Sequence, residues 1–125
     1  MRKVYVAGSI NASNVCDVLS NLREGISAGS KLLSLGYAPF TPHLDFLFAL
    51  INEEKNQPTL EQYREYSKEW LSVSNMMLVI SGRTTSEGVI SEIDFATEMG
   101  IPIYFGWHEF MKQHEEYCKI TGKVN

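Results

Sequence analysis

A chain of 125 residues, 44% hydrophobic and 21% charged, has the composition of one globular domain, residues 1–125, large enough to bury a core without metal or disulfide staples. A net charge of −4 with scattered lysines and arginines excludes the basic stripe that polymeric nucleic acid requires, while a few backbone N–H groups remain able to hold one small anion. No apolar stretch approaches the ~20 residues of a membrane span.

In chain order, Val4 to Ala7 is a short apolar run closed by Gly8-Ser9, a buried strand meeting a tight turn. Val15, Leu19, Leu22, Ile26, Gly29 and Leu33 follow at alternating spacings of four and three, the stripe of one amphipathic helix, with Asn11 or Ser13 as its cap and Gly36 as its stop. Tyr37 to Phe40 is a second strand, marked by Pro39 as an edge or a strand end. Leu44 to Ile51 is apolar nearly all round and predicts a short buried helix, and Asn52 to Pro58 a mobile loop. Thr59 and Gln62 form a capping-box pair that opens a helix running to about Ser72. Met76 to Ile80 is a third strand and Ser81 to Thr85 a polar loop. A helix from Glu87 to Met99 ends at Gly100; Pro102 to Phe105 is a fourth strand and His108 to Thr121 a last helix.

Strands alternating with helices predict an α/β fold, a flavodoxin-like (Rossmann-like) three-layer sandwich. Its sheet holds four or five parallel strands in the order 2-1-3-4(-5). In such sheets ligands sit beyond the carboxyl ends of the strands, where the order reverses. Here those are the loops after strands 1 and 3.

Both loops carry unusual residues. Gly8 lets a ligand approach the backbone closely, and reads equally as part of a plain tight turn. Tyr5 faces one side of the sheet, as pocket or as core. Ser86 stands where a helix N-cap belongs and Gly88 leaves the first turn bare, an anion-receptive start or an ordinary serine cap. On that helix Val89, Ile93, Ala96 and Met99 form the apolar stripe, with Glu87, Ser91, Asp94 and Glu98 opposite. Glu92 falls on the stripe's flank, either a partly desolvated carboxylate aimed at the pocket or a boundary acid with its head in water.

Taken together, Tyr5-x-x-Gly8-Ser9, Trp70-Leu71 on a helix, the third apolar strand and Ser86-x-Gly88-x-x-x-Glu92 resemble the nucleoside 2-deoxyribosyltransferase superfamily. This superfamily includes 2'-deoxynucleoside 5'-phosphate N-hydrolases and many small phage-type proteins. The similarity runs from Val4 to about Phe105 and takes in Ala38-Pro39-Phe40-Thr41-Pro42-His43. It implies that Glu92 attacks the anomeric carbon and that Tyr5 orients Glu92 or the sugar. It further implies that Gly8, Ser9, Ile10, His43 and Asp45 contribute to substrate binding and that Ser86 and Gly88 hold the sugar's 5' end. An uncharged serine at Ser86 resembles the branch that accepts 5'-monophosphates. The resemblance calls for no cofactor and no metal, for a nucleoside or nucleotide as the small-molecule partner, and for a homodimer or larger homo-oligomer.

Two positions depart from the family pattern. An aspartate that assists departure of the base is replaced by Ser67, three residues before Trp70, and a second acid by Asn75. Serine cannot act as a general acid near neutral pH, so the substitutes to consider are Glu69 and Asp45. A binder that has lost catalysis is the alternative, as is a partner-binding domain with a vestigial pocket. Met1-Arg2-Lys3 followed so soon by Gly8 reads as no signal peptide, and Cys16 and Cys118, far apart and in no metal-ligand spacing, read as two reduced thiols. The expected location is the cytoplasm.

Overall fold

A computed structural model describes residues 1–122. Its strands are β1 (Lys3–Ala7), β2 (Ala38–Phe40), β3 (Met76–Val79) and β4 (Ile103–Phe105). Its helices are α1 (Val15–Ser34), α2 (Phe48–Ile51), α3 (Leu60–Ser72), α4 (Glu87–Glu98) and α5 (Trp107–Thr121). All pairings are parallel and the order is β2-β1-β3-β4, as the alternation of elements predicts. There is no fifth strand among the described residues.

The period-2 geometry of β1 splits the core in two. Val4 and Val6 face one side with Met76 and Leu78, where Ala28 and Leu32 of α1 and Phe110 of α5 cover them. Tyr5 and Ala7 face the other with Met77 and Val79, under Leu71 of α3 and Val89 and Ala96 of α4. Each fully buried Val, Leu or Met side chain contributes about 1.5–3 kcal/mol, so the central strands anchor both layers. Edge strand β2 tolerates Pro39, which is in register with Val4.

Several local expectations are corrected. The cap of α1 is Asn14, whose side chain accepts from the Asp17 N–H, and not Asn11 or Ser13. Its buried face is Leu22, Gly25, Ala28, Gly29 and Leu32, while Val15, Leu19, Ile26 and Leu33 are exposed. The helix has turned its smallest residues inward, because Thr41 and His43 lie where larger side chains would have to fit. Leu44 to Ile51 is not a buried helix: a 3-10 turn (Pro42–Leu47) leads into the four-residue α2, and the large apolar side chains from Leu44 to Ile51 are exposed. Residues 52–58 contain a 3-10 turn (Glu54–Asn56), with the Gln57 amide donating to the Asn52 carbonyl. On α4, Val89 and Ala96 are buried but Met99 is exposed, since the helix has already ended there. The capping box of α3 forms as its sequence predicts, the Thr59 N–H reaching Gln62 and the Gln62 N–H reaching Thr59.

Candidate active site

The sheet order reverses between β1 and β3, and the two loops that leave these strands are stapled together. Ile80 N–H donates to the Ala7 carbonyl at 2.8 Å, and Ser9 N–H donates to Ser81 Oγ at 2.9 Å. Gly8 owes its identity to this closeness, because a Cβ there would stand 2.7 Å from the Ile80 side chain. Gly82, at φ +77°, adopts the left-handed backbone open to glycine and lies against Ser9.

Above the staple opens a cavity of about 760 Å³. Gly8, Ser9 and Ile10 line it from the end of β1. The turn after β2 contributes His43, Asp45 and Phe46, and α3 contributes Tyr63, Arg64, Ser67 and Lys68. The start of α4 adds Ser86, Gly88, Ser91 and Glu92. A volume of this size lies within the ordinary range for small-molecule sites.

Glu92 points into the cavity from the second turn of α4, and the Tyr5 hydroxyl donates to its carboxylate from below. Burial pushes the Glu92 pKa up to about 7; the Tyr5 hydrogen bond and the Lys68 charge oppose that shift without cancelling it. Tyr5 is fully buried, and burial with the neighbouring Glu92 charge raises its phenol well above the usual range, so it stays a donor. It therefore sits beneath the site and acts on the cavity through Glu92. Its ring stacks on Phe40, which stacks in turn on Trp70, so the tryptophan of α3 fixes the helix over this edge of the sheet.

His43 is 1% exposed, and neither of its ring nitrogens completes a hydrogen bond within the protein. Burial lowers its pKa, an effect that the nearby Ser9 backbone opposes. Its ring lies against the bare Cα of Gly25, where a Cβ would come within 2.1 Å of it. Asp45, two residues onward on the same 3-10 turn, is half-buried, and burial pushes its pKa up to about 6.

At the start of α4, Ser86 caps the helix by accepting from the Val89 N–H at 3.3 Å. Gly88 has no packing neighbour that demands glycine: an added Cβ would meet only Ser86 Oγ, at 3.9 Å. The missing side chain leaves room on the cavity side of the helix N-terminus. Arg64 and Lys68 stand on the facing helix, with Arg64 3.8 Å from Glu87, itself almost fully exposed.

Gly8, Ser9, Ile10, His43, Asp45, Ser86, Gly88 and Glu92, all candidates read from the sequence, line this one cavity, and Tyr5 lies beneath it. Glu69 is exposed and does not line it. Asn75 accepts from Lys3 N–H at the opposite, amino-terminal end of the strands, away from the cavity. Sequence reasoning missed Arg64 and Lys68, although their i, i+4 spacing, continuous with Ser67, does put them on one helix face. It also put Ser91 on the solvated side of α4, whereas Ser91 is half-buried at the cavity wall. Among the described residues no group of three or more His, Cys, Asp or Glu side chains is arranged to hold a metal ion, and no helix is long and apolar enough to cross a membrane.

A family model described as a domain of unknown function (DUF7768) matches residues 2–106. No curated protein matches the chain. Among solved structures, a conserved protein from Enterococcus faecalis V583 is similar at 23% identity and a TM-score of 0.65, over 84% of this chain. The match spans only 62% of the Enterococcus protein's length. A 2-deoxyribosyltransferase from Bacillus psychrosaccharolyticus is similar at 19% identity and a TM-score of 0.59, covering 82% of this chain and 70% of that one. These likenesses establish a shared fold.

Proposed function

The chain belongs to the DUF7768 family, described as a domain of unknown function, and we propose from its site that it cleaves or transfers the N-glycosidic bond of a nucleoside or deoxynucleoside 5'-monophosphate with Glu92 as nucleophile. The observation that carries this reading is the Tyr5–Glu92 pair: a carboxylate oriented by a buried phenol, facing a cavity at the switch point of a parallel sheet. In the reaction, a Glu92 oxygen bonds to the anomeric carbon as the carbon–nitrogen bond breaks, and that bond's electron pair leaves with the base. The resulting glycosyl ester is released by water, giving hydrolysis, or by a second base, giving transfer.

The phosphate has a natural place at the first turn of α4. Free backbone N–H groups, the Ser86 hydroxyl and the open space at Gly88 meet Arg64 and Lys68 across the cavity. His43 lines the cavity's inner wall beside them.

One specific observation favours a second reading, a non-catalytic binder that sequesters or senses a nucleotide. Ser67 lines the cavity beside Tyr5, where the resembling enzymes carry an acid. Incubation with a panel of nucleosides and their 5'-monophosphates, followed by chromatography, separates the two. Free base released by the native protein and lost in Glu92→Gln supports the enzyme. Tight binding without base release, together with activity gained in Ser67→Asp, overturns it in favour of the binder.

A further inference from the structure

We infer that Ser67 is a positioning residue of this site: from α3 its hydroxyl donates to the Tyr5 oxygen, and the hydrogen bonds Ser67 to Tyr5 to Glu92, in series, aim the one phenolic proton at the carboxylate. The series itself stands on contacts within the fold. What it does for the nucleophile rests on the glycosidic reading above.

The direction of each bond comes from counting protons. A phenol carries one proton to give, and its oxygen can accept further bonds. The Tyr5 proton is given to Oε2 of Glu92. The Ser67 side chain is a second hydrogen-bond partner of the same hydroxyl. With the only phenolic proton committed, that second bond must run from the Ser67 hydroxyl to the Tyr5 oxygen. Serine suits this place because it has a proton to give. An ionised carboxylate has none and would compete with Glu92 for the proton of Tyr5. Tyr5 is fully buried, so Ser67 also satisfies an oxygen set beneath the cavity floor.

Ring packing fixes Ser67 over the phenol. The Tyr5 ring stacks on Phe40 with centroids 5.6 Å apart, and Phe40 meets two rings of α3, Trp70 at 5.5 Å and Tyr66 at 5.8 Å. Leu71, one turn beyond Ser67, is buried in the same core layer as Tyr5. Ser67 and Leu71 therefore share the helix face turned to the sheet, with Ser67 at the point where that layer opens into the cavity. Held from both sides, the Tyr5 hydroxyl keeps its proton on Glu92, and bonds that point the same way along a series strengthen one another.

The test separates the hydroxyl from the space it fills. Ser67→Thr keeps the hydroxyl, Ser67→Val matches threonine in shape without it, and Ser67→Ala removes it with no added bulk. In protein labelled at the phenolic carbon of tyrosine, the Tyr5 Cζ resonance is the one that Tyr5→Phe deletes. It should keep its native position in Ser67→Thr and shift in both Ser67→Val and Ser67→Ala. On the best nucleoside 5'-monophosphate, kcat should fall ~2–10-fold in those two variants, the worth of one net hydrogen bond, with KM little changed and native kcat restored by threonine. A Cζ resonance that stays in place without the hydroxyl, or moves equally in Ser67→Thr and Ser67→Val, overturns the series. A kcat that falls as far in Ser67→Thr as in Ser67→Val, or falls in no variant, overturns the positioning role. A native protein that releases no base overturns the glycosidic reading, and the resonance still decides the series. If Ser67→Val does not fold, Ser67→Ala against native carries the same comparison.

Discussion

The Tyr5 hydroxyl and the Glu92 carboxylate meet across 87 positions of sequence, one from the second core layer of the sheet and the other from the second turn of α4. The pair sets the protonation state of Glu92. On the proposed reaction, Glu92→Gln should abolish base release. Tyr5→Phe keeps the carboxylate and the packing but loses its orientation, and should lower kcat ~10–100-fold with KM little changed, as steady-state kinetics would read.

The same pair makes stability depend on pH. The folded pKa of Glu92, about 7, lies above its ordinary value of 4.5, so the folded state binds the proton more tightly than the unfolded one. Its contribution is fully present below about pH 4.5 and is lost as pH rises through about 7. Glu92→Gln should therefore be more stable than native at pH 8, by of order 1–3 kcal/mol, and melt higher there, but melt at the same temperature near pH 4. Asp45 adds a smaller term of the same sign. Melting curves at both pH values test this, and a variant less stable at pH 8 would refute it.

Gly25 lies beneath His43, and a methyl group there would strike the ring. Gly25→Ala should cost about 1–3 kcal/mol as His43 is displaced. Nucleotide affinity should fall with it, while the exposed-face control Ser27→Ala leaves both unchanged. Urea denaturation and calorimetry measure the two effects separately.

Gly88 should behave oppositely. Nothing in the fold requires glycine there, and alanine is better in a helix by up to about 1 kcal/mol. Gly88→Ala should leave stability equal or improved while weakening 5'-monophosphates more than the matching nucleosides. If the two ligand classes weakened equally, the phosphate would not sit at this helix start.

The apolar side chains Leu44, Phe46, Leu47, Phe48, Leu50 and Ile51 are each at least 40% exposed, on the segment that also borders the cavity. A patch of that kind is expected to be covered by a second copy of the chain. Sedimentation velocity should give a homodimer for the native protein and a monomer for the double variant Leu50→Glu, Ile51→Glu. A native monomer at micromolar concentration would refute the assembly.

What the sequence determined by itself is the order and kind of its main elements. The apolar runs at β1 and β3, the Thr59–Gln62 capping box and the turn glycines act over a few residues, so their physics can be read locally. The loops after β1 and β3 followed from strand order alone, because a parallel sheet that reverses direction opens a crevice there. Tertiary structure decided what depends on contacts between distant segments. Val15, Leu19, Ile26 and Leu33 of the expected α1 stripe face outward, while Leu22 and Gly29 are buried, because Gly25 and Gly29 had to admit His43 and Thr41 from another element, which helical spacing cannot register. Leu44 to Ile51 is apolar enough for a core, yet its large apolar side chains stay exposed among the described residues. Helical spacing already put Glu69 on a different face from Ser67, and it stays in solvent, but only folding put Asp45 in the cavity, where burial, not residue type, raises its pKa.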